Sequence, residues 1–176
     1  MSENNATALA TARLSDLAGK YLTFTLENED YGLEILKVRE IIGIMDIAKV
    51  PQTPEYVKGV INLRGQVIPV IDLRLKFGME QAPITEQTCI IVLEIANQNQ
   101  SFQTGIIVDK VSEVLDISEN QLEPAPNFGH AVNTDFILAM AKAEDSVKIL
   151  LDIDKILCSD NLAQLAQAEQ QEEEQN

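Results

Sequence analysis

Apolar positions in this chain fall into short runs of two kinds. From Tyr21, "YLTFTLE" alternates, with Leu22, Phe24 and Leu26 set between Tyr21, Thr23 and Thr25, the period of a strand with one buried face. From Cys89, "CIIVLEI" is almost unbroken, the pattern of a strand covered on both faces. The stretch "GVINLRGQVIPVIDLR" (59–74) sets two apolar runs on either side of Arg64 and Gly65. It predicts a hairpin whose tight turn needs the positive φ that Gly65 takes freely. "DFILAMAKAEDSVKILLDIDKIL" predicts a second strand pair, with its turn around 143–145. Helical signals are few. Thr53, with Pro54 next and Gly59 beyond, predicts a short capped turn. After Ser159, "DNLAQLAQAEQ" puts Leu162, Leu165 and Ala166 on one face and predicts a C-terminal helix over 159–168.

The same order of features is written twice. "YGLEILKVREII" (31–42) and "TGIIVDKVSEVL" (104–115) share a frame in which Gly32 matches Gly105, Lys37 matches Lys110, Val38 matches Val111 and Glu40 matches Glu113, at a constant offset of 73 residues. A strand precedes each frame. A proline pair follows each, Pro51 and Pro54 in one and Pro124 and Pro126 in the other. Each then runs into a strand pair ending in "VIDLRLKF" or "LLDIDKIL". Two repeat halves, about 20–80 and 88–157, each hold about five short strands. Strands this short, with turns at this spacing, make barrels or sandwiches. The reading is a mainly β chain of two adjoining five-stranded barrels with a groove between them, few short helices, and a C-terminal helix against one barrel.

Composition narrows what such a chain does. The formal net charge of -15 opposes phosphate backbones and excludes nucleic-acid binding through a general basic surface. No apolar stretch approaches the ~20 residues of a membrane helix, and the opening "MSENNATALATARLSDLAG" lacks the basic-then-apolar build of a secretory signal. Direct membrane insertion is therefore not expected, and the location expected is the cytoplasm. Residues 1–17 read as a disordered polar tail, and 169–176 as a disordered acidic one. Cys89 and Cys158 adjoin apolar runs and read as reduced, mostly buried thiols rather than a disulfide.

Catalytic constellations are missing from the sequence. His130 stands alone in a loop rich in Pro, Gly and Asn, with no nucleophile partner in evidence. There is no Cys-x-x-Cys, no pair of histidines and no Gly-rich phosphate loop, so neither a metal nor a cofactor is expected. Asp72, Asp109, Asp152 and Asp154 lie at or near strand ends. Such carboxylates could form an acid pair or a metal cage, but strand-end acids more often solvate turns and discourage edge pairing. What remains is surface: a groove between barrels and open strand edges, which are means of binding other proteins.

"YGLEILKVREI", the run from Pro51 through "PEYVKGVINLRG", "VIPVIDLR" and "GIIVDKVSEVLDISENQLEPAPNF" together resemble the CheW coupling proteins of bacterial chemotaxis, a module also found in CheA and CheV. The resemblance covers about residues 18–160. It implies a pair of SH3-like barrels without enzymatic activity. It also implies a free-standing adaptor joining the cytoplasmic tips of methyl-accepting chemoreceptors to the regulatory domain of the histidine kinase CheA, in membrane-associated arrays. Carried over by position, the receptor-facing residues would be Val38, Glu40, Gly59, Arg64, Cys89 and Gly105. Cys89 stands where the family pattern leads one to expect valine, which still allows an apolar contact. The kinase contact cannot be assigned to residues from the resemblance. Alternatives are a small-ligand-binding barrel, an adaptor of a twitching or other sensory pathway, and an acid-pair hydrolase. Arg64 itself has two readings, a solvated charge on a hairpin tip or a contact whose guanidinium fork meets carboxylates or carbonyls on a partner helix.

Overall fold

The computed structural model describes residues 14–97, 99–126 and 134–158. Among these, the chain forms strands β1 (Gly19–Leu26), β2 (Glu29–Glu34), β3 (Val38–Gly43), β4 (Val57–Leu63), β5 (Gln66–Asp72), β6 (Cys89–Asn97), β7 (Gln100–Val108), β8 (Lys110–Ile117), β9 (Leu122–Glu123), β10 (Ile137–Ala143) and β11 (Ser146–Leu151). Helix is confined to α1 (14–17), α2 (Leu73–Lys76), α3 (Ile153–Cys158) and two 3-10 turns, Ile35–Lys37 and Glu119–Gln121. The chain is mainly β, in two SH3-like barrels.

The repeat is real in the strand order, but its halves do not close on themselves. One sheet runs β3-β6-β7-β5-β4, and the other β8-β1-β2-β11-β10-β9. Each barrel therefore takes two strands from one half and the rest from the other, which corrects the reading of one barrel per half. Strands of different halves pair at the antiparallel junctions β3–β6 and β1–β8 and at two parallel ones. β5 pairs with β7 in the register Val70 with Gly105, and β11 pairs with β2 in the register Leu150 with Gly32. A Cβ on Gly32 would come within 2.7 Å of a Leu150 methyl, and one on Gly105 within 2.8 Å of an Ile90 methyl. Gly32 is thus a point of close approach between strands of different halves, whereas Gly105 is crowded chiefly by Ile90 of its own half, with Val70 of the other half 3.5 Å from where a Cβ would stand.

Each ring is closed by the chain bending over its open edge. Beyond β3, Ala48 bridges Val60 of β4 through two backbone hydrogen bonds of 2.9 and 2.8 Å. Beyond β8, the 3-10 turn Glu119–Gln121, held by a Ser118 capping box, leads into β9 paired on β10.

Three apolar clusters follow from this architecture. One fills the first barrel with Ile61, Ile68, Val70, Ile90 and Val92. A second lies inside the other barrel, with Tyr21, Ile117, Leu122, Ala139, Ala141 and Leu150. The largest lies between the barrels, where Leu22, Phe24 and Leu26 of β1 meet Ile91, Leu93 and Ile95 of β6 and the inner face of α3. Hence β6 is apolar on both faces: alternate residues serve a barrel interior and the junction. β1 departs from its sequence reading. Tyr21 and Thr23 are buried too, because their face turns into a barrel. Their polar ends are satisfied, as the Tyr21 hydroxyl donates to Leu17 O at 2.6 Å and Thr23 Oγ1 donates to Glu113 O at 2.7 Å.

Three further readings change. α1 shortens the N-terminal tail, because Leu14 and Leu17 pack on the second barrel's cluster. Thr53 caps no helix; its hydroxyl donates to Val50 O at 2.9 Å in a turn. Gly59 lies within β4, at a register shift, rather than past a helix end. His130, the C-terminal helix and the acidic tail lie outside the described residues.

Candidate functional site

The hairpin between β4 and β5 turns through Arg64 at φ 53° and Gly65 at φ 86°, the primed geometry that matches strand twist. Asn62 Oδ1 accepts from Gly65 N at 2.8 Å and stiffens the tip. Arg64 is the costlier residue at such a φ, since its Cβ crowds the backbone there.

Its side chain is not simply solvated. Arg64 Nη2 donates to Glu40 at 2.6 Å to Oε2 and 3.0 Å to Oε1. Glu40 comes from β3, where a bulge between Val38 and Glu40 sets it opposite Val92. Two residues further along the same strand, Ile42 packs against the barrel interior, so Glu40 shares that face, and Arg64 lies over it. The glutamate side chain keeps 25% of its surface exposed and the arginine 74%. The contact to Glu40 runs through Nη2, and most of the arginine side chain remains exposed. On the same barrel, Ile41 of β3 and Val67 of β5 are 45% and 46% exposed. Sequence reading missed both, although Ile41 stands at the alternate position of an otherwise half-buried strand.

Val38 and Cys89 lie elsewhere on the same barrel. Both are half-buried and pack on the edge of the cluster between barrels, as does Val111. Burial pushes the Cys89 thiol above its ordinary pKa, which disfavours the thiolate. Cys158 is shifted the same way by burial and by the neighbouring Asp154 and Asp152, and both cysteines are free. Gly59 and Gly105 are buried. A Cβ on Gly59 would lie 2.0 Å from Ala48 O. These two glycines are packed into the barrel beneath its surface. The six residues carried over by position therefore divide into an exposed charged pair, two junction residues and two buried packing positions.

The other barrel carries the same arrangement with different charge. Its hairpin tip is Glu144 and Asp145, both at positive φ, and Val114 and Val147 are exposed as Ile41 and Val67 are. In place of an arginine over a glutamate, Glu144 lies beside Glu113. Hydrogen bonding to Glu144 and its charge push the Glu113 carboxyl above the ordinary range. The two hairpin tips thus share turn geometry and exposed valines or isoleucine and differ in charge, an ion pair on one and two carboxylates on the other.

The strand-end acids all serve the scaffold. Asp72 caps α2, accepting from Arg74 N at 3.0 Å. Asp109 takes Arg74 Nε at 2.7 Å and Glu27 N at 2.9 Å. Asp154 ties Lys37 Nζ at 2.6 Å and Ala96 N at 3.1 Å, and Asp152 accepts from Lys155 N at 3.1 Å. No group of three or more metal-ligating side chains forms among the described residues. Nor is any helix among them long and apolar enough to cross a membrane.

Comparison with known proteins agrees with this geometry. A family model described as a CheW-like domain matches residues 20–161. The chemotaxis protein CheW of Klebsiella aerogenes is 40% identical over 157 residues, covering 86% of this chain and 92% of that protein. The CheW of Bacillus subtilis is 32% identical over 139 residues, covering 78% and 86%. Among solved structures, the scaffolding protein TtCheW from Thermoanaerobacter tengcongensis superposes with a TM-score of 0.71 at 38% identity, covering 80% of this chain and 93% of that one.

Proposed function

Because the chain belongs to the CheW-like domain family, we propose that it couples chemoreceptors to the histidine kinase CheA, holding the two together without chemistry of its own. The family is one of non-enzymatic scaffold and adaptor proteins of chemotaxis. On this reading the protein works in the cytoplasm, against the inner tips of membrane receptors, and reaches the membrane only through its partners.

The observation that carries the receptor half of the proposal is the Arg64–Glu40 pair on a barrel that also exposes Ile41 and Val67. A helical receptor tip offers carboxylates and an apolar stripe on neighbouring faces. The outer edge of the guanidinium matches the first in bidentate fashion, and the two aliphatic side chains match the second. Val38 and Cys89 extend the apolar surface to the junction between the barrels, while Gly59 and Gly105 keep the strands beneath it in place.

Titrating Arg64→Ala, Arg64→Lys and wild type against a soluble receptor cytoplasmic fragment tests this assignment. Alanine should cost about 2–5 kcal/mol of binding if the contact is desolvated, and lysine should recover part of it. Folding stability should fall by under ~1 kcal/mol, since the intramolecular pair is exposed. Unchanged binding by Arg64→Ala would remove the pair from the interface.

A further inference from the structure

A pocket of about 380 Å³ lies where the chain beyond β3, the chain from α2 to β6 and the ends of β5 and β7 meet. That volume is at the small end of ligand pockets, about 300–1,000 Å³. Ile44, Ile47 and Ile107 line it and also pack against the cluster inside the first barrel, so its apolar wall has a fixed backing. Ile84 lines it too and is 68% exposed, a large apolar side chain that an occupant would cover. Neither Arg64 nor Glu40 is part of this pocket.

The charged side chains in the wall are Lys49, Lys58, Arg74, Asp72 and Asp109. Arg74 and the two carboxylates are already committed. Asp109 accepts from Arg74 Nε at 2.7 Å, from Nη2 of the same guanidinium, and from Glu27 N at 2.9 Å. Arg74 Nη1 also stands 3.7 Å from the Glu27 carboxylate. Asp72 is buried, and its Oδ1 accepts from Arg74 N and Leu75 N at the start of α2. Lys49 and Lys58 differ. Their ammonium groups form no ion pair or hydrogen bond with another described residue. In a chain of net charge -15, two unpaired cations beside an apolar wall suit an anion with an apolar body.

We infer that this pocket binds a free aliphatic monocarboxylate of medium chain length, its chain against Ile44, Ile47, Ile84 and Ile107 and its carboxylate met by Lys49 and Lys58. Burial of the chain supplies most of the affinity, and the lysines choose the head group. An ammonium on a flexible four-carbon stem follows the carboxylate as it seats. The same two lysines repel an alkylammonium. Asp109 does not attract one strongly, because Arg74 already neutralises it, and Asp72 is drawn to the N–H groups of α2. The site is independent of the adaptor reading and adds a small-molecule site to a chain otherwise read as binding proteins.

Titrating octanoate, octan-1-ol and octylammonium into methyl-labelled full-length protein tests this directly. Octanoate should shift the Ile44, Ile47, Ile84 and Ile107 methyl resonances saturably. It should bind about three- to tenfold tighter than octan-1-ol, the reach of two exposed ion pairs, and octylammonium should bind more weakly than either. Lys49→Gln/Lys58→Gln should bring octanoate down to the affinity of octan-1-ol. Its circular dichroism spectrum should be retained, since Lys49 is exposed and Lys58 half-buried. If the double variant failed to fold, the order of the three ligands on wild type would still decide. No saturable shift with millimolar octanoate, shifts confined to other isoleucines, or octan-1-ol or octylammonium binding as tightly as octanoate would overturn the proposal. So would unchanged octanoate affinity in a folded double variant.

Discussion

Replacing Gly59 with alanine should open a barrel, and the cost follows from the geometry. The added Cβ would stand 2.0 Å from Ala48 O and 2.7 Å from Ala48 C, both backbone atoms that no rotamer change can move. The glycine also sits at φ +141°, where a side chain costs about 1–3 kcal/mol. Relief requires the segment at Ala48 to leave β4. That breaks the two hydrogen bonds of the Ala48–Val60 bridge, which closes the ring, at about 1 kcal/mol each. The sum is roughly 3–5 kcal/mol, a large part of the ~5–15 kcal/mol that a domain of this kind commands. Gly65→Ala is the control. Gly65 also has positive φ, at +86°, but a Cβ there meets nothing within 4 Å, so only the conformational cost of about 1–2 kcal/mol applies. Urea unfolding of both variants, followed by circular dichroism with the slopes compared, gives the two numbers. Equal losses, or a loss below ~1 kcal/mol for Gly59→Ala, would show that the steric argument is wrong and that Gly59 belongs to the surface after all.

Other expectations rest on single contacts. Thr104 Oγ1 is buried without a hydrogen-bond partner, so Thr104→Val should raise stability by about 1–2 kcal/mol in the same denaturation assay; a loss would mean the hydroxyl is satisfied. Hydrogen bonding to Lys148 holds the Asp30 carboxyl below the ordinary range, and Arg74 does the same for Asp109 against the opposing effect of burial. Folded-state values below the unfolded ones mean that this stability is fully present above pH ~4 and lost as pH falls through the folded values. The Asp30→Asn/Asp109→Asn variant should therefore lose less stability on acidification than wild type, and an unchanged acid limb would contradict the assignment. Carboxyl titration by NMR should find Glu113 above the ordinary glutamate range, and Glu144→Arg should bring it down by recreating the pair that Arg64 makes with Glu40; an unmoved Glu113 would rule out their contact.

Strand periods were legible where a strand has one role or two complete ones. The apolar run from Ile90 to Leu93 reads as buried on both faces and is so, because one face lines a barrel and the other the junction. β1 misled because Tyr21 and Thr23 look like a solvent face. Burying them needs acceptors at Leu17 and Glu113, and Glu113 is ninety positions away. The repeat frame was visible, but likeness of two halves does not say which strands pair. The strand pairing shows that strands cross between halves, and the glycines at Gly32 and Gly105 did not announce it, because a glycine in a strand has several possible causes. The exchange predicts that neither half folds alone. The turn at Arg64 and Gly65 was written in the sequence, whereas its partner Glu40 depends on a bulge that no local pattern announces. Leu14 and Leu17, at helical spacing in a polar tail, were a signal for α1 that composition obscured.

The account stands most directly on reconstitution. Receptor-containing membranes, CheA and this protein are mixed in all combinations, and kinase autophosphorylation is measured with co-sedimentation of each component. The account predicts that activity rises only when all three are present, that this protein takes up no phosphate from ATP, and that Arg64→Ala lowers both its sedimentation with receptors and the rise in activity. Equal stimulation of CheA without receptors, or failure of the protein to sediment with receptors and kinase together, would contradict the coupling role.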